Sequence, residues 1–184
     1  MMAYKKEVNT RRKFKTRGIT LIETMVVLTL LIVLAATAVP AFQEMMANRR
    51  LEGKAREYVT HMNWARSLAV NSNQAVNLRI SEAENASCYV VFYGPVNDCS
   101  CDANGTACAT AGNAPLLTIL ISHNEGVRVS SAKTRIDPTR GTLSPTLTAI
   151  FTADNGRAIH NISNILGRTR SCTPGEAGFG FKIC

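Results

Sequence analysis

Between Glu23 and Glu44 the chain runs for 20 residues without a charge, TMVVLTLLIVLAATAVPAFQ. Nothing else in its 184 residues limits the fold as strongly. As an α-helix, such a run rises about 30 Å, the thickness of the hydrocarbon core of a bilayer. The residues ahead of it are basic: Lys5, Lys6, Arg11, Arg12, Lys13, Lys15 and Arg17 stand against Glu7 alone. A basic flank before an apolar span predicts a cytoplasmic N-terminus and an exported remainder. Composition agrees with a packed domain behind it, since 46% of residues are apolar and 18% charged, which excludes a disordered or coiled-coil chain. The net charge of +8 invites a nucleic-acid reading, but seven bases and one acid in residues 1–18 already account for +6 of it. The total charge is therefore no evidence for a binding surface.

Three kinds of export segment fit these features. A cleaved signal peptide would end at Ala36-Thr37-Ala38 and leave Val39 as the new terminus. A permanent anchor would keep the whole segment. Neither explains Glu23, a lone carboxylate at the mouth of a membrane helix, where a charge is costly and needs a partner. The stretch Arg17-Gly18-Ile19-Thr20-Leu21-Ile22-Glu23, followed by the apolar run with Pro40, resembles the class III leader of type IV pilins and type II secretion pseudopilins. That resemblance implies cutting by prepilin peptidase after Gly18, methylation of the new terminus at Ile19, and pairing of Glu23 with the amino terminus of a neighbouring subunit during assembly. It also implies residence in the bacterial inner membrane with the head in the periplasm before assembly into a pilus. Ile19 departs from the Phe or Met more usual at that position.

Beyond Pro40 the helical pattern continues. Leu51, Ala55, Tyr58, Met62, Ala65 and Ala69 step by threes and fours, one apolar stripe opposite Arg49, Arg50, Glu52, Lys54, Arg56 and Glu57. The helix is expected to end near Asn71-Ser72-Asn73. His61 and Trp64 read as helix–head packing and a partly exposed face rather than a site. From Ala75 onward, β-like runs alternate with turn signals: Val76–Ser81, Cys88–Tyr93, Leu116–Ser122, Val127–Ser130, Thr148–Thr152, Arg157–Ile162 and Gly178–Lys182. Gly94 to Pro115 reads as a long loop held by cysteines. The expected fold is α+β and pilin-like. Residues 1–18 are the leader, 19–45 the membrane or fibre-core half of the helix, 46–72 its amphipathic half, and 73–184 a β-rich head.

Six cysteines, Cys88, Cys99, Cys101, Cys108, Cys172 and Cys184, all follow the apolar run, and an even number in an exported chain reads as disulfides. Cys172 and Cys184 are expected to close the C-terminus as a loop, while the other four permit three pairings. Zinc is a poor fit, since Cys99-Ser100-Cys101 is too tight for finger spacing. The run Asp98 to Gly105 echoes a calcium loop, but Ala103 replaces its turn glycine and Ala109 its bidentate Glu. The three histidines, His61, His123 and His160, are scattered, and no phosphate loop is present. No enzyme activity, metal or cofactor is expected.

Charge is uneven along the head. Residues 74–125 hold one base and five acids, net −4, and residues 126–184 eight bases and three acids, net +5, which predicts a dipolar head. Within the basic part, Arg168 and Arg170 alternate after Gly167. In an extended segment they would share one face as a fork suited to phosphate, with Thr169 and Ser171 adding hydroxyl donors. The competing reading is a solvated turn. Gly141-Thr142-Leu143, Ala149-Ile150-Phe151, Gly156-Arg157-Ala158-Ile159 and the terminal Gly-Arg-Thr-Arg resemble the C-terminal pattern of the GspH/FimT minor pilin family. In the FimT-like branch a G-R-x-R motif is associated with DNA binding in natural transformation, which maps onto Gly167, Arg168 and Arg170. Charge grouping adds Arg157 and Lys182. The expected partners are double-stranded DNA and other pilin subunits. The alternative is a structural minor pilin or a type II secretion pseudopilin that primes or caps a fibre without binding DNA.

Overall fold

The computed structural model describes residues 18–102, 104–110, 113–175 and 180–184. The basic stretch up to Arg17 lies outside the described residues. The chain divides into two compact units, residues 1–41 and 42–184, and helix α1 (Leu21–Ser72) carries residues of both.

In the first unit α1 begins behind Thr20, whose Oγ1 accepts from the Glu23 amide at 3.3 Å. The spacing Thr20-x-x-Glu23 is that of a capping box, and it sets the Glu23 carboxylate at the positive end of the helix dipole. The apolar side chains from Leu21 to Val39 are exposed, and the helix is long and apolar enough to cross a membrane. Its three hydroxyls do not need water: Thr24, Thr29 and Thr37 donate to the carbonyls of Leu21, Val26 and Leu34, three residues back. A bilayer requires such internal satisfaction of polar groups.

In the second unit the predicted stripe is the buried face of α1. Leu51, Ala55, Tyr58, Met62, Ala65 and Ala69 are each at most 1% exposed. The alanines let strands approach closely, and Tyr58 fills the space between. Asn73, at φ 53°, ends the helix in the left-handed conformation that asparagine tolerates.

Twelve strands follow among the described residues: β1 (Val76–Glu82), β2 (Ala86–Tyr93), β3 (Cys99–Asp102), β4 (Gly105–Cys108), β5 (Pro115–Ser122), β6 (Val127–Val129), β7 (Ala132–Ile136), β8 (Leu143–Ser144), β9 (Leu147–Ala153), β10 (Ala158–Ser163), β11 (Thr169–Thr173) and β12 (Lys182–Ile183). One sheet has the order β5-β2-β1-β7-β8 and the other β12-β11-β10-β9-β6. Both turn their apolar faces to the helix. Leu78, Ile80, Tyr89 and Val91 come from the first sheet, and Val129, Ala149, Phe151 and Ile159 from the second, all in one core with the α1 stripe. Tyr58 joins the three layers, with ring centroids 5.5 Å from both Tyr89 and Phe151.

The expected loop from Gly94 to Pro115 is a hairpin instead. Strands β3 and β4 pair over the outer face of β2, where Cys88, Val90 and Phe92 form a small second core with Cys99 and Cys101. This is why β2 is apolar on both faces, which alternation alone leaves unexplained. Disulfides join Cys88 to Cys101, Cys99 to Cys108, and Cys172 to Cys184, so all six cysteines are paired. The calcium echo dissolves into a turn: Asp102 Oδ1 accepts from the amides of Asn104 and Gly105.

The dipole expected from the sequence does not become a division in space. Strand β7, with Lys133 and Arg135, lies in the first sheet between β1 and β8, so basic charge is interleaved with the acidic segment.

Candidate nucleic-acid interface

The Gly167–Arg170 motif lies at the turn of the β10–β11 hairpin. The last ladder pair is Ser163 with Thr169. Beyond it, the Gly167 amide donates to the Asn164 carbonyl at 2.9 Å, the Asn164 amide to the Arg168 carbonyl at 3.1 Å, and the Arg168 amide to Asn164 Oδ1 at 2.9 Å. Asn164 to Gly167 is thus a tight turn closed by a residue at φ 78°, which only glycine adopts without strain.

The turn is also buttressed from outside. The Leu143 amide donates to the Ile165 carbonyl at 2.9 Å, and Arg66 Nε of α1 donates to the Gly141 carbonyl at 2.9 Å. Gly167 packs onto that bond. A Cβ at Gly167 would stand 2.6 Å from Arg66 Nε and 2.7 Å from the Gly141 oxygen. Gly167, carried over as a DNA-binding residue, is buried, and its observed work is to hold the turn.

Arg168 and Arg170 are both exposed and line one concavity of about 300 Å³ with Ile162 and Asn164. Among the described residues neither makes an ion pair. The i, i+2 argument therefore puts both guanidiniums on one flank, although Arg168 precedes the strand and only Arg170 is in it. The same alternation removes the expected hydroxyl donors. Thr169 Oγ1 bonds Ser163 Oγ at 2.7 Å, and Ser171 Oγ donates to Asn161 Oδ1 at 2.6 Å, both on the opposite face. The relay continues inward, for Asn161 Nδ2 donates to the Ala55 carbonyl of α1 at 3.0 Å.

Lys182 is exposed on β12, opposite Cys172 in a parallel pairing that the Cys172–Cys184 bridge closes. It lies one strand over from Arg170 and two residues farther along. Arg157 is elsewhere. It precedes β10 at the end away from the hairpin turn, its amide donating to Asn155 Oδ1. Six strand residues at about 3.4 Å each separate it from the fork, so charge grouping along the sequence misplaced it.

Sequence reasoning also missed neighbours that only sheet pairing reveals. Leu143, which bonds the turn, pairs with Ile136 of β7, while Arg135 pairs with Ser144. Arg135 and, in the following turn, Arg140 are thereby added to this end of the head. The one carboxylate of that turn is engaged: Asp137 Oδ1 accepts from the Thr139 hydroxyl and from the amides of Thr139 and Arg140, which hold its carboxyl below the usual range.

One further group among the described residues has the composition of a metal site. Asp98, Cys99 and Cys108 converge, but both sulfurs are in a disulfide and cannot ligate as thiolates. His61 Nδ1 bonds Tyr89 Oη at 2.7 Å, a packing contact at the helix–sheet junction.

A family model described as "Type II transport protein GspH" matches residues 54–165, from the amphipathic part of α1 to the hairpin turn. The match ends two positions before Gly167. No curated protein and no solved structure matches the chain.

Proposed function

Because the chain belongs to the GspH family, we propose that it is a minor pilin anchored by α1 in the inner membrane, with its head in the periplasm, that holds double-stranded DNA for uptake in natural transformation. The reading rests on one observation: two exposed arginines, neither ion-paired among the described residues, stand on one flank of a hairpin buttressed from behind. Guanidiniums so placed suit bidentate contacts to successive phosphates. Contacts of that kind carry no base information, so binding is expected to be independent of sequence. Assembly would follow cutting after Gly18, methylation of Ile19 by prepilin peptidase, and docking of Glu23 against a neighbouring subunit. Mass spectrometry of the exported protein should then find a methylated Ile19 as its first residue.

The test of DNA binding uses the full-length protein in detergent micelles, titrated with a short duplex at low salt. Arg168→Ala with Arg170→Ala should weaken binding at least about tenfold, as expected for losing two charge-assisted contacts. Unchanged binding in that double variant would refute the role of the fork.

A second reading is favoured by the extent of the family match, which stops short of the arginines. In it the chain is a structural pseudopilin or priming minor pilin whose partners are other subunits alone. A wild-type protein that fails to bind duplex at low salt would establish that reading over the first.

A further inference from the structure

Two large apolar side chains stand in the open at the tip of the same hairpin: Ile165 is 60% exposed and Leu166 64%. They fill the two central positions of the turn, where polar or conformationally flexible residues are the rule. The turn does not need them, since its hydrogen bonds come from Asn164, Gly167 and Arg168. Nor is the tip loose enough to tuck them away. The Ile165 carbonyl is held by Leu143, and Gly167 is lodged against Arg66 and Gly141. The result is a rigid apolar blade two side chains wide, with Arg168 and Arg170 set behind it on one flank.

Water gives such a blade no compensation, so its exposure points to an occupant, and the adjoining charge selects which. A paired cation beside an apolar projection complements a polyanion that has an apolar interior within reach. A stacked duplex is such a ligand, with phosphates outside and base faces within. From this geometry we infer that Ile165 and Leu166 act as a wedge, entering between adjacent base pairs from the groove while Arg168 and Arg170 hold the flanking phosphates. The inference rests on the DNA reading of this hairpin and adds a consequence which that reading alone lacks. The duplex is unstacked at one step and bent away from the head. Steps that unstack readily, pyrimidine–purine steps and mismatches above all, are then preferred without any hydrogen-bond readout of bases.

The experiment uses the full-length protein in detergent micelles and short duplexes carrying a fluorescent donor and acceptor at their ends, one fully paired and one with a central mismatch. Binding of wild type should shorten the end-to-end distance, and the mismatched duplex should bind about tenfold more tightly. Ile165→Ser with Leu166→Ser should abolish the shortening and the mismatch preference while leaving the salt dependence due to the arginines. Leu166→Phe, which keeps a blade, should retain both effects and shows that the tip tolerates substitution. The wedge is overturned if wild type binds both duplexes equally without shortening them, or if the double serine variant bends DNA as wild type does. It is equally overturned if that variant keeps DNA bending and instead loses binding to vesicles containing anionic phospholipid. Absence of any duplex binding by wild type at low salt removes the DNA reading itself, an outcome distinct from binding without bending.

Discussion

Tyr58 occupies the centre of the core with its hydroxyl unbonded among the described residues. Among the described residues, its oxygen and Asn77 Oδ1 are the buried side-chain atoms left without a hydrogen-bond partner. Burial, with Tyr89 alongside, pushes the Tyr58 phenol far above its ordinary pKa, so the group stays neutral. An unsatisfied buried hydroxyl costs free energy that its removal restores. Tyr58→Phe should therefore leave the melting temperature unchanged or raise it, with a gain of up to about 1 kcal/mol. Gly167 is the reverse case. Its φ of 78° and the Gly141 oxygen 2.7 Å from a Cβ position leave no room for a methyl group. Gly167→Ala should destabilise the head by about 1–3 kcal/mol in thermal denaturation, and it should displace the turn that carries Arg168. The sequence showed that a glycine precedes the arginines. It could not show that Arg66, a hundred residues earlier, lies beneath that glycine.

Among the elements, the base of the β3–β4 hairpin is tied to the segment that follows it by one carboxylate. Asp98 accepts from the Thr110 hydroxyl and Asn113 Nδ2, each at 2.6 Å, and from the Thr110 amide at 2.9 Å. The Thr110 hydroxyl, then Asn113, hold its carboxyl below the usual range. Because the native pKa is lowered, the contribution of Asp98 is complete above the ordinary aspartate range and is lost as pH falls through the native value. A melting series in acid should show a downward step in wild type that Asp98→Asn lacks, the variant starting from a lower plateau at neutral pH. Which elements were legible follows from how each gets its burial. The α1 stripe and strands β1 and β9 carry apolar residues at their own period, β2, β5 and β10 are short apolar-rich runs between turn signals, and the sequence reading found them. Strand β11, Thr-Arg-Ser-Cys-Thr, and strand β7, Ala-Lys-Thr-Arg-Ile, have little apolar alternation and owe their form to the ladders of β10 and β1. Cysteine pairing had the same limit. Three connectivities were open for four residues, and only the fold of the hairpin over β2 selects among them.

For the whole molecule, the charge total misleads and the placement of charge informs. If the leader is removed after Gly18, the remaining sequence carries only +2, since residues 1–18 hold +6 of the +8. If the chain binds DNA as proposed, affinity should follow the few cations at the hairpin rather than net charge. Two phosphate contacts per head predict a slope of about −2 for log affinity against log salt. A much steeper slope, measured by titration at several salt concentrations, would mean that cations beyond Arg168 and Arg170 take part, with Arg135, Arg140 and Lys182 the first to replace. The relay from Ser171 through Asn161 to the Ala55 carbonyl has a mechanical meaning as well. It couples the strand bearing Arg170 to the helix backbone through two hydrogen bonds, in parallel with the strand ladder. Tension applied at the hairpin would therefore have two routes into the head, one along the strand ladder and one into the helix.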